Sequence, residues 1–401
     1  MSTITGVRTI RLPERANLIW VEIETDEGLA GLGESFRGAP AVEAVVHDQV
    51  APWLLGRDSR RIEAISRHLT TPYIGFHSTG AEIRAASAVD IALWDLAGKR
   101  HGIPVHEALG GAARTEIRAY NTCAGYAYNT SGVARRSVVA GEAAQGPYDD
   151  QVAFTTDAGA LAESLIAEGY TAMKIWPLDV FADAGGGQVI TLSELNAGLE
   201  PFRKIRAAVG DRIEVMCELH SLWNATAALR ICRALEAFGV FWAEDPIGKM
   251  DDAAALADLR RQTRTPICGS ETLAGTVPFR QLLAADAVDF VMLDLAWCGG
   301  ITEGRKIAAL AEAYAKPLAP HDCTGPVTLT AGLHLALHAP TAIFQEVVRA
   351  YLSTWYRDLV TELPVVRNGM VQAPTAPGLG TALLPDLKRR EGAIVRESGR
   401  G

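Results

Sequence analysis

The chain has 401 residues, 48% of them apolar and 21% charged, and a formal net charge of −9. This is an ordinary globular composition, long enough for several domains or for one barrel with additions. The acidic balance argues against a broad nucleic-acid or anionic-membrane surface, and no apolar run is long enough to span a bilayer.

The first stretches alternate as strands, over residues 7–12, 19–24 and 30–35, with Asp26-Glu27-Gly28 as a hairpin turn. Residues 40–50 and 58–69 read as helices, the second with Asp58 as its N-cap. Residues 71–80 read as a loop. Residues 81–100 carry a wide apolar helical face that ends at Gly102 and Pro104. From residue 116 onward the rhythm changes. Strands at 116–121, 172–177, 213–218, 241–247, 266–271, 289–294, 317–322 and 342–347 alternate with helices or loops. Among these are helices at 192–209 and 326–338 and a loop at 178–190. Residues 122–154 have no strong period and read as a lid or mobile surface loop.

Strands that alternate with single helices imply a parallel sheet, and eight such units imply a closed (β/α)8-type barrel. The fold class is therefore α/β. The domains are an N-terminal α+β cap (1–115), the barrel (116–362) and a C-terminal segment (363–401) that packs back on the cap and frays from residue 389. An open doubly wound sheet is the alternative, weakened by the lack of a G-x-G-x-x-G loop after a strand. The six cysteines form no C-x-x-C pair, and the N-terminus carries no basic-apolar-small signal pattern. A soluble, reduced, cytoplasmic protein is expected.

Chemistry gathers at the C-terminal ends of the barrel strands. In chain order these ends carry Lys174 and Trp176, Glu218 and His220, Glu244 and Asp245, Glu271, Asp294, His321 and Asp322, and Glu346. Glu218 and Glu244 are 26 residues apart; Glu244 to Glu271 and Asp294 to His321 are each 27. Strand ends meet at one rim, where barrel active sites are built. Three adjacent carboxylates, Glu218, Glu244 and Glu271, offer hard oxygen ligands for Mg²⁺, with Mn²⁺ as a substitute. His321 reads as a base whose tautomer Asp294 fixes. Glu218 and His220, two apart on a strand, are expected on one face.

The chain resembles the mandelate racemase subgroup of the enolase superfamily over nearly its whole length. The motifs are the helix segment 88–97, Lys174-Ile175-Trp176, Glu218-Leu219-His220, Trp242-Ala243-Glu244-Asp245-Pro246, Gly269-Ser270-Glu271, Asp294 with Gly299-Gly300, and His321-Asp322. The resemblance implies Mg²⁺ on Glu218, Glu244 and Glu271, and a His321–Asp294 base that removes a proton α to a carboxylate. The product of that step is a metal-stabilised enediolate. It implies that a protonated Glu346 hydrogen-bonds the substrate carboxylate and that Lys174 is its electrostatic partner.

One departure is Trp176, where many members carry a second lysine that serves as an opposed base. The other is His220, which resembles the acid of galactonate- and gluconate-type dehydratases that protonates the departing 3-hydroxyl. The expected reaction is therefore Mg²⁺-dependent dehydration of a sugar acid to a 2-keto-3-deoxy acid by a homo-oligomeric lyase. Rival readings are a one-base epimerase or isomerase, a Schiff-base aldolase using Lys174, and a non-catalytic acid-sugar-binding barrel. Trp176, Trp297 and Trp223 are possible pocket walls, and Arg37, Tyr73 and His77 are cap residues placed to contact substrate.

Overall fold

The computed structural model describes residues 2–71, 79–126, 128 and 143–399. The N-terminal unit is an antiparallel meander of β1 (Ile4–Arg11), β2 (Leu18–Thr25) and β3 (Ala30–Phe36). Helix Ala81–His101 lies against β3. The approach is so close that a Cβ on Gly31 or Gly33 would overlap the carbonyl oxygens of Ala92 and Ala88. This is why glycine alternates along β3.

The same helix binds the cap to the rest of the chain through buried polar groups. Asp95 accepts from the backbone N–H of Leu32 and of Leu379, each at 2.8 Å. Asp90 accepts from the N–H of Thr302 at 2.8 Å, and Ser87 Oγ from that of Gly299 at 3.0 Å. The distinctive 88–97 segment is thus a clamp between cap, barrel and tail.

The barrel strands are β4 (Glu116–Thr122), β5 (Ala172–Ile175), β6 (Glu214–Glu218) and β7 (Ala243–Glu244), followed by β8 (Ile267–Gly269), β9 (Phe290–Leu293), β10 (Leu318–Pro320) and β11 (Gln345–Val347). From β4 to β10 each pairs in parallel with the next. β11 pairs in parallel with β4, and the bridge from Leu318 to Ala342 completes the circle. The α/β barrel expected from the strand–helix alternation is present. Its interior is plugged by Tyr120, Ala172, Met216, Trp242, Cys268, Met292, Ala319 and Phe344, one from each strand or the residue before it, and all buried. The rings of Tyr120, Trp242 and Phe344 pack edge to face within it, with centroids 5.6 to 6.1 Å apart. The rim above it is left to polar groups.

Several local expectations change. Residues 192–209 form two helices, Leu192–Gly198 and Glu200–Val209. Pro201 has no N–H to continue the first and sits comfortably in the first turn of the second. Residues 178–190 are not all loop, because Asp179–Gly185 is a helix capped by left-handed Gly186. Asp58 does not cap its helix, which runs Ile62–Thr70; its carboxylate accepts from the backbone N–H of Arg60 at 3.1 Å and of Ser2 at 3.4 Å. Within 122–154, residues from Asp150 onward belong to helix Asp150–Thr156.

The tail is also more ordered than expected. β12 (Val366–Arg367) and β13 (Met370–Gln372) form a hairpin whose second strand adds to β4. The end does not fray at 389. β14 (Ile394–Gly399) pairs antiparallel with β1 from Gly6–Gly399 to Arg11–Ile394, covering an otherwise open cap edge. Arg8 reaches Glu397 across that ladder at 2.5 Å. No helix among the described residues is long and apolar enough to cross a membrane.

Candidate active site

The short strands stop where the chemistry begins. β6 and β7 end on Glu218 and Glu244, and Glu271, Asp294 and His321 follow β8, β9 and β10 within two residues. Lys174 and Glu346 lie within β5 and β11. All are essentially buried, with Glu271 the most accessible.

One ligand oxygen from each of Glu218, Glu244 and Glu271 lies within 4.8 Å of the others. Glu244 also accepts a hydrogen bond from Trp242 Nε1 at 2.8 Å, so the barrel plug fixes its orientation. Lys174 Nζ contacts Glu244 Oε1 and lies 3.4 Å from Glu218 Oε2 and 3.0 Å from Glu346 Oε1. Burial, then the neighbouring Glu218, pushes the Glu244 carboxyl well above its usual range. Glu218 moves the other way, held low against burial by His220, Lys174 and the backbone N–H of His220. The donor set is all oxygen, buried and convergent, with more negative charge than one lysine balances. It fits a hard dication.

His321 stands four strands from β6, across the rim. Its Nδ1 is 2.7 Å from Asp294 Oδ2, and Asp294 Oδ1 accepts from the N–H of Ala296 at 2.6 Å. Its Nε2 is 2.7 Å from Glu271 Oε2 and 4.0 Å from Glu346 Oε2. His321 therefore borders the carboxylate cluster directly. Burial works against charging this ring, but Glu271, Glu346 and Asp294 raise it well above the ordinary histidine value. Trp297 stacks on it, with ring centroids 5.6 Å apart.

His220 reaches the pocket by a different route from the one its spacing implied. β6 ends at Glu218, and His220 and Ser221 are left-handed, with φ of 48° and 56°. The turn lets Glu218 Oε1 accept from the N–H of His220 at 2.6 Å and of Leu219 at 3.0 Å. The two side chains face one cavity because the backbone turns, not because the strand continues. His220 Nδ1 is 2.7 Å from Asp179 Oδ2, and its Nε2 is 3.0 Å from the Tyr128 hydroxyl. Against burial, Asp179 and Glu218 raise this imidazole to about 9.

Arg37, Trp176 and Trp297 line the cavity beside Lys174, His220 and His321. Trp176 packs its edge on His220, with centroids 5.6 Å apart. Arg37 arrives from the cap in a left-handed conformation, φ 68°. Trp223 is buried and does not line the cavity; Asp245 instead takes a hydrogen bond from Ser270 Oγ at 2.8 Å. Tyr73 and His77 lie outside the described residues. Glu346 receives Lys174, Thr122 Oγ1 and the N–H of Asp322, the last at 2.8 Å.

Sequence reasoning missed Asp179, Tyr128 and Thr122. Thr122 ends β4, one residue beyond the strand read at 116–121, and was put in the segment that follows. Asp179 is 41 residues from His220, and Tyr128 sits in an aperiodic stretch.

Residues 7–110 match the family described as mandelate racemase / muconate lactonizing enzyme, N-terminal domain, and residues 157–387 match enolase C-terminal domain-like. The chain belongs to the mandelate racemase/muconate lactonizing enzyme family of the enolase superfamily. A D-galactonate dehydratase of Ralstonia nicotianae is 33% identical, covering 94% of this chain and 91% of its own. A D-xylonate dehydratase of Haloferax volcanii is 30% identical, covering 98% and 89%. Among solved structures, an enolase protein from environmental sequencing of the Sargasso Sea is 61% identical over 100% of both chains, with a TM-score of 0.90. An enolase of the mandelate racemase subgroup from Agrobacterium tumefaciens is 46% identical over 99% of both, with a TM-score of 0.88.

Proposed function

We propose that the protein is a Mg²⁺-dependent hydro-lyase that converts a sugar acid, an aldonate or aldarate, into its 2-keto-3-deoxy acid. The observation that carries this reading is a pair of histidines on opposite barrel walls, each tethered to a buried carboxylate, with a carboxylate cluster between them. The curated relatives named as sugar-acid dehydratases support the same reaction class.

Glu218, Glu244 and Glu271 would hold the cation. A hard dication there supplies charge to balance what moves onto the substrate carboxylate as the C2 proton leaves. Lys174 and Glu346 sit where that carboxylate is oriented. His321 Nε2 takes the C2 proton, and Asp294 holds the tautomer that leaves Nε2 free to accept it. The His220 side supplies the proton that lets the C3 hydroxyl leave as water. General-acid help matters because hydroxide is a poor leaving group.

The rival chemistries fit less well. Racemisation by two opposed bases lacks its lysine, since Trp176 fills that place. A Schiff-base lysine must be neutral to attack. Burial favours that state for Lys174, but Glu244 and Glu346 outweigh it and raise the amine well above its usual value.

The test is a panel of aldonates and aldarates incubated with Mg²⁺ and assayed for 2-keto acid with semicarbazide. Keto acid from at least one member is expected. Epimerised substrate with no keto acid would replace dehydration by isomerisation.

A further inference from the structure

We propose that Tyr128 is a catalytic residue: its hydroxyl hands the proton to the leaving C3 oxygen and is resupplied by His220. This rests on the dehydratase reading above and refines it by changing which atom meets the substrate.

The argument begins with the ring nitrogens of His220. Nδ1 is taken by Asp179 at 2.7 Å, and Nε2 by the Tyr128 hydroxyl at 3.0 Å. In the acid form of the ring both nitrogens carry a proton, Nδ1–H donating to Asp179 and the Nε2 proton pointing at the phenol oxygen. Among the described residues, the hydrogen-bond partner of that hydroxyl is His220. When Nε2–H donates to the phenol oxygen, the phenol O–H is free to donate onward. Tyr128 lines the same cavity as His220, Lys174 and His321.

The phenol is also held in place. The Tyr351 hydroxyl donates to the Tyr128 carbonyl at 2.7 Å, and the Trp176 ring packs against the Tyr128 ring with centroids 5.1 Å apart. Burial keeps the phenol in its neutral, donating form, well above the ordinary tyrosine value. Trp176 thereby gains a purpose. In place of a second base it forms the wall that aims a proton relay, Asp179–His220–Tyr128, at the substrate.

The step balances. His321 removes the C2 proton and the C2–H electron pair becomes the C2–C3 double bond. The C3–O bond breaks with its electrons on oxygen, which takes the Tyr128 proton and leaves as water. Tyr128 takes the Nε2 proton of His220, whose ring solvent then reprotonates. The enol tautomerises to the 2-keto acid.

The test is Tyr128→Phe, assayed with Mg²⁺ on the best acid of the panel and on its 3-deoxy-3-fluoro analogue. Fluoride leaves without a proton, so its release needs the base but not the acid. Dehydration should fall roughly 10²-fold or more, while C2 deuterium exchange and fluoride release stay at wild-type rates. Wild-type dehydration by Tyr128→Phe would overturn the proposal, and so would an equal loss of dehydration, exchange and fluoride release. A wild-type protein that neither exchanges C2 nor releases water or fluoride from any acid would instead sink the dehydratase reading itself.

Discussion

His321 Nδ1 lies 2.7 Å from Asp294 Oδ2, and both groups are buried at the ends of neighbouring strands β10 and β9. A carboxylate so placed holds the ring in one tautomer and stabilises the cation formed when Nε2 gains a proton. Asp294→Asn should leave the fold intact, because Ala296 N–H can still donate to the side-chain oxygen. It should lower kcat for dehydration and the rate of C2 deuterium exchange together, by roughly 10²–10⁴-fold. Parallel measurement of both rates checks this. A loss of dehydration with exchange untouched would place Asp294 outside the proton-abstraction step.

Removal of the dication should silence turnover reversibly, with activity restored by Mg²⁺ or Mn²⁺. Glu244→Gln should weaken Mn²⁺ binding measured by calorimetry. Glu244 is buried and supplies one of the converging oxygens, and charge count sets affinity at such sites. Unchanged Mn²⁺ affinity in that variant would remove Glu244 from the ligand set.

A second histidine pair, away from the site, makes stability depend on pH. His334 is fully buried; Nδ1 accepts from the His106 N–H at 3.2 Å and Nε2 lies 3.1 Å from the Leu379 carbonyl. Burial depresses its value to about 3, below the unfolded value of about 6.5. Its stabilising contribution is therefore complete above about pH 6.5 and is lost as the pH falls from there toward 3, by on the order of a few kcal/mol. Urea midpoints measured from pH 7 to pH 4 should fall. His334→Gln should flatten that fall. An equally steep fall in the variant would assign the acid sensitivity to other groups.

Gly33 tests the cap. Its substitution by alanine would drive a Cβ into the Ala88 carbonyl oxygen, and both partners are backbone-bound. Overpacking of this kind costs about 1–3 kcal/mol or more, so Gly33→Ala should lower Tm by several degrees or abolish soluble expression. Exposed Gly28→Ala, with open space around it, is a control for glycine replacement without a clash; its own penalty comes from φ 76° alone.

The barrel was legible because its strands are short apolar runs, all but the first ended by a titratable residue. The β6–β7–β8 carboxylates and the His321–Asp294 pair could be read because they obey one positional rule. Partners from connecting segments could not. Asp179 lies in a segment whose three glycines read as loop, yet it begins a helix that aims its carboxylate at His220. Tyr128 lies in a stretch with no period, and its place depends on tertiary contacts with Trp176 and Tyr351. Local pattern carries no information on such pairings, which packing decides. The fate of the C-terminus was misread for the same reason. Ile394–Gly399 has charged residues and few apolar ones, but the open edge of β1 supplies the ladder that orders it.

Proton NMR in D₂O, with Mg²⁺ and a sugar acid turned over by the wild type, tests the central claim most directly. The wild type should lose the C2 proton signal and build up the 2-keto-3-deoxy acid, while His321→Asn should do neither. Keto-acid formation by His321→Asn, or full wild-type turnover after exhaustive metal removal, would contradict the account.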